Sequence, residues 1–369
     1  MSSPIAQELD LLLRSMHTPT ETGLPNWERL LRLARMTGLH GRLAAASQST
    51  PLLPAPVRRH LVSAQRISQF NAQMLRAELH ALAPLCDSTF PVIALKGSAY
   101  ALQKLTIATG RFVSDIDLLV PRANLRTMEQ RLQNGGWQAA ALDAYDERYY
   151  RDWSHETPPM RFPGHFLEVD LHHAITPVTA ALRFDPAPLF EASIAVPNSP
   201  FRVLAPEDQV LHACLHCFQD GDLDLRLREL VDIDLLLRDF GSRDGFWTRL
   251  STRAADLGLQ RPLWYGLHYV NLWMGATAPL AALTQISAPH PLLVRSMNAL
   301  VSRAMLPSDP DFPPPMDVRL SRLAMLTRYH LLRMPLTMLV PHLARKAWLR
   351  SRARLTPSGQ PPANEAGGC

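Results

Sequence analysis

The sequence predicts an α+β protein: a small mixed sheet flanked by helical regions on its N-terminal and C-terminal sides. Three observations carry this expectation. Residues 1–85 and the chain from Pro206 onward place apolar residues at helical spacing. Between them, short apolar runs bounded by Gly and Pro alternate with short helical patterns, as in a mixed α/β core. The chain has 369 residues, of which 47% are apolar and 19% charged, so it is globular and long enough for two or three cores.

These observations divide the chain into five parts: an N-terminal helical region (1–85), an α/β core (86–205), a C-terminal helical domain (206–312), a Pro linker with a basic helical segment (313–355), and a disordered tail (356–369). In the first part, Pro25-Asn26 precedes one helix, and Pro54 and Pro56 precede a longer one ending near Leu85. At Phe90 the texture changes. Val92–Leu95 reads as a buried strand, followed by a Gly-Ser turn and a helix. Thr109-Gly110-Arg111 is a turn, and Val113–Val120 is a second apolar strand stopped by Pro121. A helix over 123–133 ends at Gly135-Gly136. Trp137–Leu142 is a further strand, 143–164 a long loop, and Phe166–His172 an alternating strand. Gly221 and Gly241 bracket a Leu-rich helix, with Asp220 and Asp222 as caps. Helices follow near 247–257, 262–274, 291–305 and 316–333, with Pro313-Pro314-Pro315 as a stiff linker.

Composition narrows the function classes. The 38 basic and 33 acidic residues leave a net charge of +5, too small to argue for nucleic acid alone. Residues 316–369 hold nine basic residues against two acids, so the basic excess is local. Four cysteines exclude a disulfide scaffold. The start, MSSPIAQELD, has neither the charge nor the apolar run of a signal peptide, and no stretch reads as a membrane span. The expectation is a reduced, cytoplasmic protein.

Three segments carry chemistry. Leu95-Lys96-Gly97-Ser98 turns from strand into helix, where backbone N–H groups suit a phosphate. Only three lysines stand against 35 arginines, which singles out Lys96. In Ser114-Asp115-Ile116-Asp117-Leu118-Leu119-Val120, residues two apart share a strand face, so Asp115 and Asp117 stand side by side on an apolar strand. Two such carboxylates repel unless a divalent cation lies between them, and Mg²⁺ suits oxygen ligands shared with phosphates. In Phe166-Leu167-Glu168-Val169-Asp170-Leu171-His172-His173, Glu168, Asp170 and His172 share a face, and a neighbouring strand of this kind offers a third carboxylate for two-metal phosphoryl or nucleotidyl transfer.

The tetrapeptide Asp-Ile-Asp-Leu recurs at 232–235 in a helical context. There Asp232 and Asp234 are about 200° apart around the axis, so this copy is expected to give at most a supporting polar contact. A rival metal pattern is His212-Ala213-Cys214-Leu215-His216-Cys217, although buried Cys and helix-face His are the commoner reading. The Arg-rich run Arg345–Arg354 offers weak contact with an anionic membrane or nucleic acid, against the plainer reading of a solvated helix face.

Taken in order, Leu95-Lys96-Gly97-Ser98, Gly110-Arg111, Ser114–Val120, Gly135-Gly136-Trp137, Val169-Asp170-Leu171-His172 and Leu204-Ala205-Pro206-Glu207-Asp208 resemble the uncharacterised nucleotidyltransferase-like family of bacteria. That family belongs to the DNA-polymerase-β-like nucleotidyltransferase superfamily. The resemblance covers roughly residues 25–300 and implies a nucleotidyltransferase core wrapped by helices. By resemblance, Asp115 and Asp117 hold Mg²⁺ (two ions, with Mn²⁺ an alternative) and the nucleoside triphosphate. Asp170 is the third carboxylate, with Glu168 as its competitor. Gly97 and Ser98 hold the β/γ-phosphates, Lys96 adds positive charge, and Arg111 pairs with a carboxylate or a phosphate. The expected activity is transfer of a nucleoside monophosphate from an NTP to an acceptor (small molecule, peptide or protein). The alternative is a degenerate nucleotidyltransferase fold that binds or regulates without turnover.

Overall fold

The computed structural model describes residues 6–14, 26–49, 53–139, 150, 153–182, 184–219, 223, 226–275 and 277–355. Four helices lead: α1 (Ala6–Arg14), α2 (Trp27–Met36), α3 (His40–Ala46) and α4 (Ala55–Leu82). The core follows as β1 (Ile93–Ala94), α5 (Lys96–Gln103), β2 (Asp115–Leu119), α6 (Leu125–Asn134), β3 (Gln138–Ala139), β4 (Met160–Arg161), β5 (Glu168–His172), α7 (Ala187–Ala192), β6 (Ile194–Ala195) and β7 (Arg202–Val203). The rest is helical: α8 (Pro206–Gln219), α9 (Leu227–Gly241), α10 (Phe246–Asp256), α11 (Gln260–Trp273), α12 (Leu280–Thr284), α13 (Pro291–Met305), α14 (Met316–Arg333) and α15 (Leu336–Leu355). The fold is therefore α+β, with a seven-stranded mixed sheet ordered β3-β4-β5-β2-β1-β7-β6.

The centre of the sheet is the parallel pair β2–β5, in register Asp115↔Glu168, Asp117↔Asp170 and Leu119↔His172. The strand period of two then sorts the side chains. Ile116, Leu118, Val169 and Leu171 point to one face and pack on Leu75, Leu79 and Leu82 of α4 and on Met128 and Leu132 of α6. Burying each such side chain contributes about 2 kcal/mol. The opposite face carries Asp115, Asp117, Asp170 and His172. The segment entering β2 is held by the side chain of Asn71 on α4, whose amide donates to the Val113 carbonyl while its carbonyl accepts from the Val113 N–H, each at 2.8 Å. Asn71 thus stands in for a missing strand partner.

The second core joins chain segments far apart in sequence. Leu30, Leu33 and Leu43 from α2 and α3 share one apolar cluster with Val210, Leu230, Leu236, Leu263 and Val301 from the C-terminal helices. The 28-residue α4 bridges the two cores, with Val57, Leu61 and Ala64 in one and Leu75, Leu79 and Leu82 in the other. At Gly110 (φ +72°) the turn before β2 presses on α3: a Cβ there would come within 2.5 Å of the Gly41 carbonyl oxygen. Only glycine fits at both positions.

Several expectations are revised. Part of the expected 143–164 loop is β4, whose Met160 is fully buried. A strand of two residues, set among the three between Pro159 and Pro163, is too short to leave an alternating pattern. Gln138–Ala139 is β3, while 140–142 of that expected strand lie outside the described residues, as do the caps Asp220 and Asp222 and the tail 356–369. Pro315 is less a linker residue than the residue preceding α14, which docks through Ser321 and Met325 and through an Arg328 bond to the Phe218 carbonyl at 2.8 Å. Met316, Leu320 and Leu323 of α14 and Leu336, Val340 and Trp348 of α15 remain exposed. No helix among the described residues is long and apolar enough to cross a membrane.

Candidate active site

The β2–β5 register brings three carboxylates together. Oxygens of Asp115, Asp117 and Asp170 lie within 4.8 Å of one another. Glu168, left open as a competitor by the sequence, is drawn away: its carboxylate accepts from Arg161 Nη2 at 2.5 Å across the β4–β5 pair. Asp170 Oδ1 is buried with no hydrogen-bond partner among the described residues. Such an orphaned carboxylate oxygen is costly unless a ligand occupies it, and the all-oxygen donor set suits a hard divalent cation.

The strand β1 delivers the cationic partner. The Leu95 N–H donates to the Asp117 carbonyl at 3.0 Å, and the chain then turns through Lys96 at φ +44°. A non-glycine residue in this left-handed region is strained by about 1–2 kcal/mol. The turn holds Lys96 Nζ 3.0 Å from Asp117 Oδ1. His172 Nε2 donates to the same Oδ1 at 2.9 Å. Both contacts fall on Oδ1, so Oδ2 is the oxygen available to an ion.

Electrostatics separates the paired acids. Burial opposes charge on Asp117, but Lys96 and then His172 overcome it and hold this carboxyl well below the ordinary range. Burial, then the Asp117 charge, pushes Asp170 up from 3.8 to about 7. The two carboxylates therefore differ in protonation near neutral pH, one fixed as an anion and its neighbour able to exchange a proton. Burial also opposes charge on His172, but its bond to Asp117 prevails and raises its value. On α8, burial holds His212 well below its ordinary value.

Gly97 and Ser98 lie in the first turn of α5. A Cβ on Gly97 would come within 2.7 Å of both Arg111 Nη1 and Val113 Cγ2, so the helix start can approach β2 this closely only with glycine. Ser98 is 1% exposed, and its Oγ has no hydrogen-bond partner among the described residues. Arg111 Nε donates to Asp232 at 2.9 Å, and the guanidinium lies over the Tyr100 ring at 5.6 Å. One cleft gathers Lys96, Gly97, Arg111, Asp115, Asp117 and Arg228, combining three cations with the carboxylates. A second cleft begins on the other side of Lys96, lined by His155, His172, Thr176, His212 and Tyr329.

The His/Cys pattern on α8 does not gather as a site. Cys214 and Cys217 are buried in the apolar core and burial pushes both thiols up. His216 Nδ1 lies 3.1 Å from Glu229. Among the described residues the four do not form a metal-ligand group. The helical Asp-Ile-Asp-Leu is supporting, as expected: Asp232 accepts from Arg42 at 3.0 Å as well as from Arg111. His155 and Glu156, which no sequence pattern marked, lie beside His172.

The profile of a family described as uncharacterised nucleotidyltransferases matches residues 24–275. A comparison with curated proteins finds no match.

Proposed function

Because the chain belongs to this family of uncharacterised nucleotidyltransferases, we propose that it transfers a nucleoside monophosphate from an NTP to an acceptor hydroxyl with the help of Mg²⁺. The observation that carries the reading is the gathering of Asp115, Asp117 and Asp170 within 4.8 Å, beside Lys96 and the first turn of α5. Asp115, Asp117 Oδ2 and Asp170 would hold the metal, which when bound neutralises charge on the phosphates and the leaving group.

The chain's own groups supply the rest. Backbone N–H groups and the hydroxyl at Gly97-Ser98 bind the β- and γ-phosphates. Lys96 adds positive charge, and Arg111, braced by Asp232, faces the same cleft. The acceptor oxygen bonds to the α-phosphorus as the α–β bridging P–O bond breaks, and pyrophosphate leaves with the electron pair. The acceptor proton passes to Asp170, whose Oδ1 has no partner among the described residues and is the carboxylate oxygen left to accept it.

Calorimetric titration of ATP, GTP, CTP and UTP, each with and without Mg²⁺, tests the reading. Metal-dependent binding of an NTP that is lost in the Asp115→Ala/Asp117→Ala double variant is expected. Folded protein that binds no NTP under any condition would overturn it. Binding without pyrophosphate release in the presence of cell-extract acceptors would favour a regulatory module instead.

A further inference from the structure

A second group of potential ligands lies outside the carboxylate triad. Segment 155–161 runs antiparallel beside β5, but its pairing is not uniform. Met160 pairs with Val169 and Arg161 with Glu168, whereas Glu156 pairs with His172. The sum of paired numbers changes from 329 to 328, so one residue is bulged out around Pro158-Pro159. A bulge of this kind re-aims side chains. Here it sets Glu156 directly opposite His172, which places the two side chains on one face. Backbone bonds pin the arrangement on both sides: Thr157 N–H to the Leu171 carbonyl, and His173 N–H to the His155 carbonyl, each at 2.8 Å.

The resulting distances suit an ion. Glu156 Oε2 lies 3.7 Å from His172 Nδ1 and 3.9 Å from His155 Nε2. Ligand atoms of all three fall within 4.8 Å of one another. Bonds of about 2.0–2.1 Å in a tetrahedral site put ligand atoms roughly 3.3–3.5 Å apart, so the two separations from Glu156 need to close by only a few tenths of an ångström, with the two imidazoles drawing together from within 4.8 Å. His155 and His172 are buried, and Glu156 is half-buried.

The donor chemistry differs from that of the triad. Two imidazoles and one carboxylate favour a borderline cation over Mg²⁺, and three protein ligands leave one position open. His172 is pre-set for the task. Its Nε2 is committed to Asp117 Oδ1 at 2.9 Å, so Nδ1, 3.7 Å from Glu156 Oε2, is the nitrogen left to an ion. Orientation of a ligating histidine by a carboxylate on its far nitrogen is the usual support of such sites. Two of the three ligands, His155 and His172, also line the cleft that holds Thr176, His212 and Tyr329. Tyr329 lies beyond the family-matched residues 24–275.

We propose that His155, Glu156 and His172 form a second metal site, taking a divalent cation of the zinc class and presenting its open coordination position to a small ligand in this cleft. The inference stands apart from the nucleotidyl-transfer reading, since its ligands are not those of the triad.

The test is Zn²⁺ titration by calorimetry into metal-stripped full-length protein, repeated with Co²⁺ followed by visible absorption. Two variants remove ligands, His155→Ala and Glu156→Gln, and Asp115→Asn/Asp170→Asn disables the triad. Circular dichroism and metal-free melting check each fold, and the half-buried Glu156→Gln is the variant best placed to keep it. One tight Zn²⁺ equivalent is expected in the parent and the triad variant, with affinity at least tenfold weaker in each ligand variant. Intense low-coordinate Co²⁺ bands should appear in the first two proteins only. Equal Zn²⁺ affinity in the parent and both ligand variants would overturn the site. So would loss of binding in the triad variant alone, because the ion would then sit among the aspartates.

Discussion

The tetrapeptide Asp-Ile-Asp-Leu occurs twice, at 115–118 on β2 and at 232–235 on α9. On the strand, both aspartates face the same side and meet a third from the neighbouring strand. On the helix they diverge. Asp232 ties Arg42 and Arg111 together, while Asp234 accepts from Arg238 and Thr277. The strand copy concentrates negative charge and calls for a ligand. The helix copy disperses it, Asp232 onto two buried arginines and Asp234 onto the half-exposed Arg238 and a threonine hydroxyl, and is complete by itself. Backbone periodicity, not composition, makes one copy chemical and the other architectural.

The largest effect should separate the copies by activity. Asp115→Asn is expected to lower Mg²⁺-dependent pyrophosphate release from the bound NTP roughly 10³-fold, in line with removal of a key electrostatic group, with little change in melting temperature. The helix copy should respond in the opposite way. Asp232→Ala leaves Arg42 and Arg111 buried without their shared carboxylate, which costs about 3–5 kcal/mol. Denaturant unfolding should detect it directly, and a loss below 1 kcal/mol would mean that other acceptors replace Asp232.

The third contrast is in pH dependence. The Asp170 carboxyl is raised from 3.8 to about 7 in the fold, so the folded state holds a proton that the unfolded chain has released. Its contribution is fully present below about 4 and is lost as pH rises through 7, by up to roughly 4 kcal/mol. The difference in stability between metal-free parent and Asp170→Asn should therefore widen in favour of the variant over that window, as read by melting from pH 4 to 8. Saturating Mg²⁺ should restore the parent alone. The smallest effect belongs to Asp234→Asn, which keeps an acceptor for Thr277 and weakens the pair with the half-exposed Arg238. About 1 kcal/mol of stability should be lost.

What the sequence revealed follows the length of each pattern. The helices at 291–305 and 316–333 and the strands around Ile116 and Val169 were legible because their periodicity repeats. The strands β4, β6 and β7 have two residues each and no period to read. The pairing of Glu168 with Arg161 was hidden because the strand that carries Arg161 was itself invisible. Asn71 at Val113 and Arg42 at Asp232 are side-chain contacts between distant segments, and local patterns carry no trace of them. Glu156 and His155 come from a Pro-containing stretch whose bulge, not its composition, aims them.

The apolar cluster shared by the first and last helices has a consequence for how the chain is made. Arg42 and its partner Asp232 are separated by 190 positions. At about 5–20 residues per second of synthesis, the leucines of α2 and α3 emerge roughly 10–40 s before the helices that cover them. For that interval Leu30, Leu33 and Leu43 have only the neighbouring N-terminal helices α1 and α4 to pack on, and the protein's own C-terminal half cannot yet shield them from the wrong neighbours.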